Sequence, residues 1–156
     1  MTDTTATKPA VHSTFRIERF YNASPDRVFG AFSNPDSKRR WLIEGEGWEI
    51  FEYTPSFEIG GHERSRFAYQ GGPEILNETI YQDIVPGERL VYCYRMAMAG
   101  APMSASLTTI ELVEKDGGTL LIQTEQGTYL DGHDDGTMRE QGCRELLEAL
   151  AKEVEG

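Results

Sequence analysis

Residues 117–150 read GGTLLIQTEQGTYLDGHDDGTMREQGCRELLEAL, and their pattern changes once. The first part alternates and is rich in Leu, Ile and Thr, which predicts a strand over Thr119–Gln126. The second part repeats at threes and fours, which predicts a helix over about Asp135–Glu153. Its apolar stripe is read as Met138, Gly142, Leu146, Ala149 and Leu150, widened by Cys143, Leu147 and Val154. Arg139, Glu140, Arg144, Glu145, Glu148 and Lys152 fall on the other side. Asp131, Asp134 and Asp135 sit where a helix dipole favours negative charge. Gly142 costs roughly 1 kcal/mol against Ala inside a helix, so a close approach to the backbone is expected there.

Working outward, the stretches before this pair read as strands separated by turn chemistry. They are Trp48–Phe57, His62–Tyr69, Ile75–Val85, Arg89–Met98 and Met103–Glu114. Gly60-Gly61, Gln70-Gly71-Gly72-Pro73, Pro86-Gly87, Gly100-Ala101-Pro102 and Asp116-Gly117-Gly118 punctuate them. Such short connections join antiparallel neighbours. Phe15, Ile17, Arg19 and Tyr21 alternate with Arg16, Glu18 and Phe20 as a further strand. Ser24 then caps a short helix over about Pro25–Phe32, with proline at its first position. A second short helix, about Asp36–Leu42, carries Trp41. Residues 1–12 read as a polar, disordered tail and residues 13–156 as one domain. The order is β-α-α-β-β-β-β-β-β-α, an α+β fold. One amphipathic helix must bury its stripe on one face of a curved antiparallel sheet. Ligand pockets form in the gap such packing leaves.

The composition narrows the function. The chain has 156 residues, 38% hydrophobic and 26% charged, which suits a single packed domain. Its formal net charge is −11, and residues 125–156 hold nine acidic against three basic side chains. This charge repels phosphate backbones and anionic lipid, so neither nucleic acid nor membrane is an expected partner. The opening ten residues lack an apolar leader core, no stretch has the length of a membrane span, and Cys93 and Cys143 stand fifty residues apart without metal-ligand spacing. A cytoplasmic protein with two reduced thiols is expected, and no motif calls for a metal or cofactor. For an oligomer, a homodimer is the default, since two-fold pairs are commonest.

The order and several motifs resemble the helix-grip, START-like (SRPBCC) superfamily. Within it the chain is similar to homologues of the heat-shock-protein-90 ATPase activator, a polyketide-cyclase-like family. ASPDRVFGAFSNPDSKRRW (Ala23–Trp41) resembles that family's opening helix pair, and FEIGGHER (Phe57–Arg64) its Gly-Gly turn. IVPGERLVYCY (Ile84–Tyr94) is similar to its Pro-x-Glu-Arg-Leu hairpin, and residues 117–150 to its last strand and helix. Together these cover residues 14–152. Two departures stand out. Glu58-Ile59 precedes the Gly-Gly turn where the family often has Arg, and Gly142-Cys143 stands where many members have Gly-Trp. The resemblance implies a curved sheet wrapped around the long C-terminal helix. It also implies a function among those the superfamily hosts, which include lipid carriers, hormone receptors and cyclases.

The expected function is binding of a small, mostly apolar molecule between the sheet and the last helix. Phe32, Trp41, Phe67, Tyr69, Tyr81, Tyr92, Tyr94, Met138 and Leu146 are the expected wall, with phenol hydroxyls orienting the ligand. Tyr92 and Tyr94 share a face with Leu90 and Met96 because strand side chains alternate. Glu125 joins this set if it points inward, and its face is ambiguous because both alternating sets of its strand hold apolar residues. One alternative is a cyclase- or hydrolase-like enzyme using Glu125 or His133 as acid or base. Another is a chaperone-activating or stress-response partner that docks through Glu145 and Glu148. Against the enzyme, no catalytic residue set is legible. Asp131-Gly132-His133-Asp134-Asp135 reads as a loop and acidic helix cap, His62 as a solvated strand residue and Cys143 as a buried thiol. Ser104, Ser106, Thr108 and Thr109 form no nucleophile elbow.

Overall fold

The computed structural model describes residues 9–156. Its elements follow the expected order: β1 (Val11–Tyr21), α1 (Pro25–Ser33), α2 (Pro35–Leu42), β2 (Trp48–Thr54), β3 (His62–Tyr69), β4 (Ile75–Val85), β5 (Arg89–Met98), β6 (Ala101–Lys115), β7 (Gly118–Tyr129) and α3 (Thr137–Glu155). Strand β2 stops before Pro55, which cannot donate to a ladder. Strand β1 starts at Val11, paired with Tyr129, so Val11 and His12 belong to the sheet rather than to the expected tail. Residues 1–8 of that tail lie outside the described residues.

Seven antiparallel strands form one sheet in the order β1-β7-β6-β5-β4-β3-β2. Only β1 leaves sequence order, crossing to pair with β7. Ser24 caps α1 by accepting from the Arg27 N–H at 3.2 Å, and Asn34 caps α2 by accepting from Asp36 and Ser37. The Trp41 Nε1–H donates to the Ala31 carbonyl at 2.8 Å and Trp41 packs edge-on against Phe32, which locks the two short helices together. Among the described residues, no helix is long and apolar enough to cross a membrane.

The core lies where α1 and α3 meet the concave face of β1, β7 and β6. It joins Phe15, Ile17, Tyr21, Val28, Phe29, Ile110, Leu121, Leu147, Leu150 and Val154. The buried stripe of α3 is Cys143, Leu147, Leu150, Ala151 and Val154, rotated from the expected one. Met138 corrects the expectation most plainly. It is 65% exposed, because it lies five residues before Cys143, about 140° around the helix. Nothing approaches Gly142, and nothing in the structure explains a glycine there. Leu150→Ala is therefore expected to lower the unfolding free energy by about 2–5 kcal/mol, whereas Met138→Ala should change it by no more than about 0.5 kcal/mol. Urea titrations followed by circular dichroism distinguish the rotated stripe from the expected one.

Candidate functional site

Residues directly opposite in an antiparallel ladder point to the same side. The register therefore sets Tyr81, Tyr92, Thr108, Glu125 and Phe15 in one concave row across five strands. The next row holds Glu63, Thr79, Tyr94, Ser106, Gly127 and Ser13. The Tyr81, Tyr92 and Tyr94 rings follow one another at 5.9 and 6.2 Å. They run from one polar cluster to another.

The first cluster sits under α2. Lys38 Nζ donates to Glu63 Oε2 at 2.9 Å and to the Tyr81 hydroxyl, with all three side chains buried. Phe57 closes it by packing on Tyr81 and on Phe29. Burial lowers the Lys38 ammonium from its ordinary value, and Glu63 partly offsets that shift.

The second cluster lies at the N-terminal end of α3. Glu125 is 1% exposed, which settles its direction as inward. Its carboxylate accepts from Tyr94 Oη at 2.6 Å, Thr108 Oγ1 at 3.0 Å, Gln123 Nε2 at 3.2 Å and Cys143 Sγ at 3.8 Å. Arg139 comes from the opposite side. Its guanidinium donates to Tyr94 Oη at 2.9 Å, Ser106 Oγ at 3.5 Å and Ser104 Oγ at 2.8 Å, and stands 3.9 Å from Glu125. It also lies over the Tyr94 and Tyr129 rings, 5.4 Å from each centroid. Tyr129 is 1% exposed, and its hydroxyl is the one buried side-chain polar atom without a partner among the described residues. Such an orphan costs about 1–3 kcal/mol.

The expected wall residues divide among several places. Tyr81, Tyr92, Tyr94 and Glu125 share the polar rows. Phe32 and Trp41 are spent on the packing of α1 and α2, and Leu146 rests half-buried against the core. Phe67 is half-buried facing Ile50 and Ile75, while Tyr69 is an exposed rim residue beside Trp48. Met138 is outside. His133 is exposed on its loop, its backbone N–H donating to Asp131. No group of His, Cys, Asp and Glu among the described residues could hold a metal ion. Two open grooves lie elsewhere. One of about 210 Å³ sits between β1 and α3 at Arg19 and Arg144, and one of about 430 Å³ lies along β1 and β7 at Ser13 and Gln126.

Arg139, Lys38, Glu63 and Tyr129 were not expected here. The signals were faint but physical. Arg139 is four residues before buried Cys143 and so on its face, Lys38 is three before Trp41, and Glu63 alternates with Ser65 and Phe67. The small Cys143 thiol lies against Glu125.

These surroundings hold protons. Burial pushes the Cys143 thiol up to about 12 and the Tyr129 phenol up to about 12, and raises Tyr81, Tyr92 and Tyr94 further. The folded chain keeps these protons at a pH where the unfolded chain releases them. Their stabilisation is complete below the ordinary values, 9.0 for the thiol and 10.0 for the phenols, and is lost as pH rises toward the folded ones. Lys38 acts oppositely, its lowered value adding stability as pH climbs toward 10.5. With Tyr21 and Tyr53, which burial also raises, one lysine opposes a thiol and six phenols, so stability should fall steadily above about pH 9. Tyrosinate absorbance of the buried rings should appear with unfolding rather than before it.

The comparisons agree with this architecture. A protein of Rhizobium loti of known structure is 52% identical, with 94% of this chain and 100% of that chain covered and a TM-score of 0.87. An uncharacterised protein of Rhizobium leguminosarum is 38% identical over 94% of this chain and 97% of its own, with a TM-score of 0.89. An AHSA1-like protein of Aeromonas hydrophila, 17% identical over 92% of each chain, shares the fold at a TM-score of 0.70. No curated protein matches the sequence. Residues 22–155, from the turn before α1 to the last turn of α3, match the family described as Activator of Hsp90 ATPase homolog 1-like protein, and the chain belongs to that family.

Proposed function

We propose that this protein is a binding module for a small, largely apolar molecule seated on the concave face of the sheet. The observation that carries this reading is the half of that face which the helices leave open. Helices α1 and α3 pack on β1, β6 and β7, and α2 reaches β3 and β4 through Lys38 at Glu63 and Tyr81. Beyond Tyr94, the register continues through Met96 and Met98 on β5, Asn77 and Ile75 on β4, and Phe67 and Ile50 on β3 and β2. All of these are half-buried. A curved sheet that presents Ile, Phe and Met beside a few fixed hydroxyls has the makeup of a ligand site. Burial of apolar surface supplies affinity at about 25 cal/mol per Å², and the Tyr94 ring, held by Glu125 and Arg139, supplies a fixed wall.

Glu125 serves such a site by holding Tyr94 in place. Four donors already occupy its carboxylate, so it supports a positioning role better than that of an acid or base reaching substrate. A docking role for the acidic face of α3 draws less support, because Glu148 pairs with Arg19 and Glu153 with Arg40 and Ser37.

Native mass spectrometry of freshly purified protein should show an added mass that denaturation removes. Phe67→Ser with Met96→Ser should weaken retention about tenfold, equivalent to about 1.4 kcal/mol, without loss of the folded circular-dichroism spectrum. A native mass equal to the denatured mass, together with no uptake of the neutral dye Nile red, counts against the reading.

A further inference from the structure

The Tyr129 hydroxyl is buried and unpaired, and Arg139 of the second polar cluster lies over its ring. Its ring lies against Gly127, where a side-chain carbon would come within 2.7 Å of the hydroxyl oxygen. Glycine is thus what lets the phenol occupy this place. Arg139 does not satisfy it, because the guanidinium lies over the ring face and sends its hydrogen bonds to Ser104, Ser106 and Tyr94. Ser104 and Ser106 are themselves buried, on the strand next to the open half of the concave face. Ser104 pairs with Met96 and Ser106 with Tyr94 on the neighbouring strand. A phenol can both donate and accept one hydrogen bond, so the orphan suits an oxygen-bearing group entering from that side.

The charge of the cluster sets the kind of group. Arg139 has a side chain only 12% exposed, and Glu125 stands 3.9 Å away as its counter-charge, bridged by Tyr94. Asp134 adds a second carboxylate nearby, accepting from the backbone N–H groups of Gly136 and Met138. A ligand carboxylate would place a third acid beside one guanidinium in a poorly solvated site, and a ligand amine would find Glu125 already taken by four donors and Asp134 by two backbone N–H groups while it meets Arg139 directly. We propose that Tyr129, backed by Arg139, is the anchor for a neutral hydroxyl or carbonyl head group, and that the site selects against carboxylates and amines. This rests on the concave-face binding reading, whose apolar half takes the ligand's body.

The test uses the full chain and four probes of one body: 1-decanol, 2-decanone, decanoate and decylamine. Each competes against Nile red, whose uptake reports the apolar face alone. Decanol and decanone should displace the dye at least about tenfold better than decanoate or decylamine. Tyr129→Phe should keep its melting temperature or raise it, keep Nile red uptake, and bind decanol about tenfold more weakly. Equal or better displacement by decanoate or decylamine overturns the head-group selection while leaving the binding reading intact. Unchanged decanol affinity in Tyr129→Phe overturns the anchor, as it would if one bound water satisfies the phenol. Absence of both dye uptake and decanol binding overturns the binding reading and this proposal with it. Should Tyr129→Phe fail to fold, the ring resonances of Tyr129 in the unaltered protein decide. They should shift on titration with decanol, and no shift overturns the anchor.

Discussion

The Glu125 carboxylate lies inside the sheet–helix interface, and its donors come from four elements. Tyr94 belongs to β5, Thr108 to β6, Gln123 to β7 and Cys143 to α3. A buried carboxylate is costly unless its lone pairs are filled. The arrangement therefore ties three strand registers to one rotation of α3. A slip of one residue in any of these strands would turn its donor to the convex face. The rotation that brings Cys143 to Glu125 also carries Arg139 inward, since the two are one helical turn apart. The same rotation leaves Met138 in solvent.

This constraint explains why the concave face is not uniformly greasy. Two ion pairs stand at its covered margins, Lys38 with Glu63 under α2 and Arg139 with Glu125 under α3. Three phenols span the distance between them. Apolar packing by Phe29, Leu121, Leu147 and Leu150 holds α1 and α3 on β1, β6 and β7, α2 reaches only Glu63 and Tyr81 through Lys38, and beyond them the sheet carries Phe67, Ile75, Met96 and Met98 outside these helix contacts. The molecule is built as a closed half that supplies stability and an open half that supplies surface. The convex side is organised differently. Glu52, Arg64, Arg66, Glu74, Glu78 and Arg95 form a run of solvent-facing ion pairs across β2 to β5, which contribute little individually.

Much of this was legible in the residues because the signals are local. Ser24-Pro25 and Asn34-Pro35 mark helix starts by the hydrogen bonds and fixed φ they supply. Pro86-Gly87 and Gly117-Gly118 mark turns, and the strands between differ from expectation by a few residues at their ends. The site was legible only in part. Tyr81, Tyr92 and Tyr94 follow from alternation along a strand. Tyr129, Lys38 and Glu63 do not, since each acquires its neighbours from a distant element. Arg139 looked like a surface residue because an arginine beside Glu140 on an acidic helix is ordinarily solvated.

The sequence by itself determined the element order, the antiparallel sheet, the amphipathic last helix and the absence of a basic surface. These depend on period, turn chemistry and charge, which a linear chain displays. The tertiary structure decided the rotation of α3, the inward face of Glu125, the pairing of Arg139 with it and the unpartnered hydroxyl of Tyr129. Each of those depends on which side chain meets which across the sheet–helix gap. That is set by packing and by the need to satisfy buried polar groups, and neither is written in the spacing of residues along one strand or one helix.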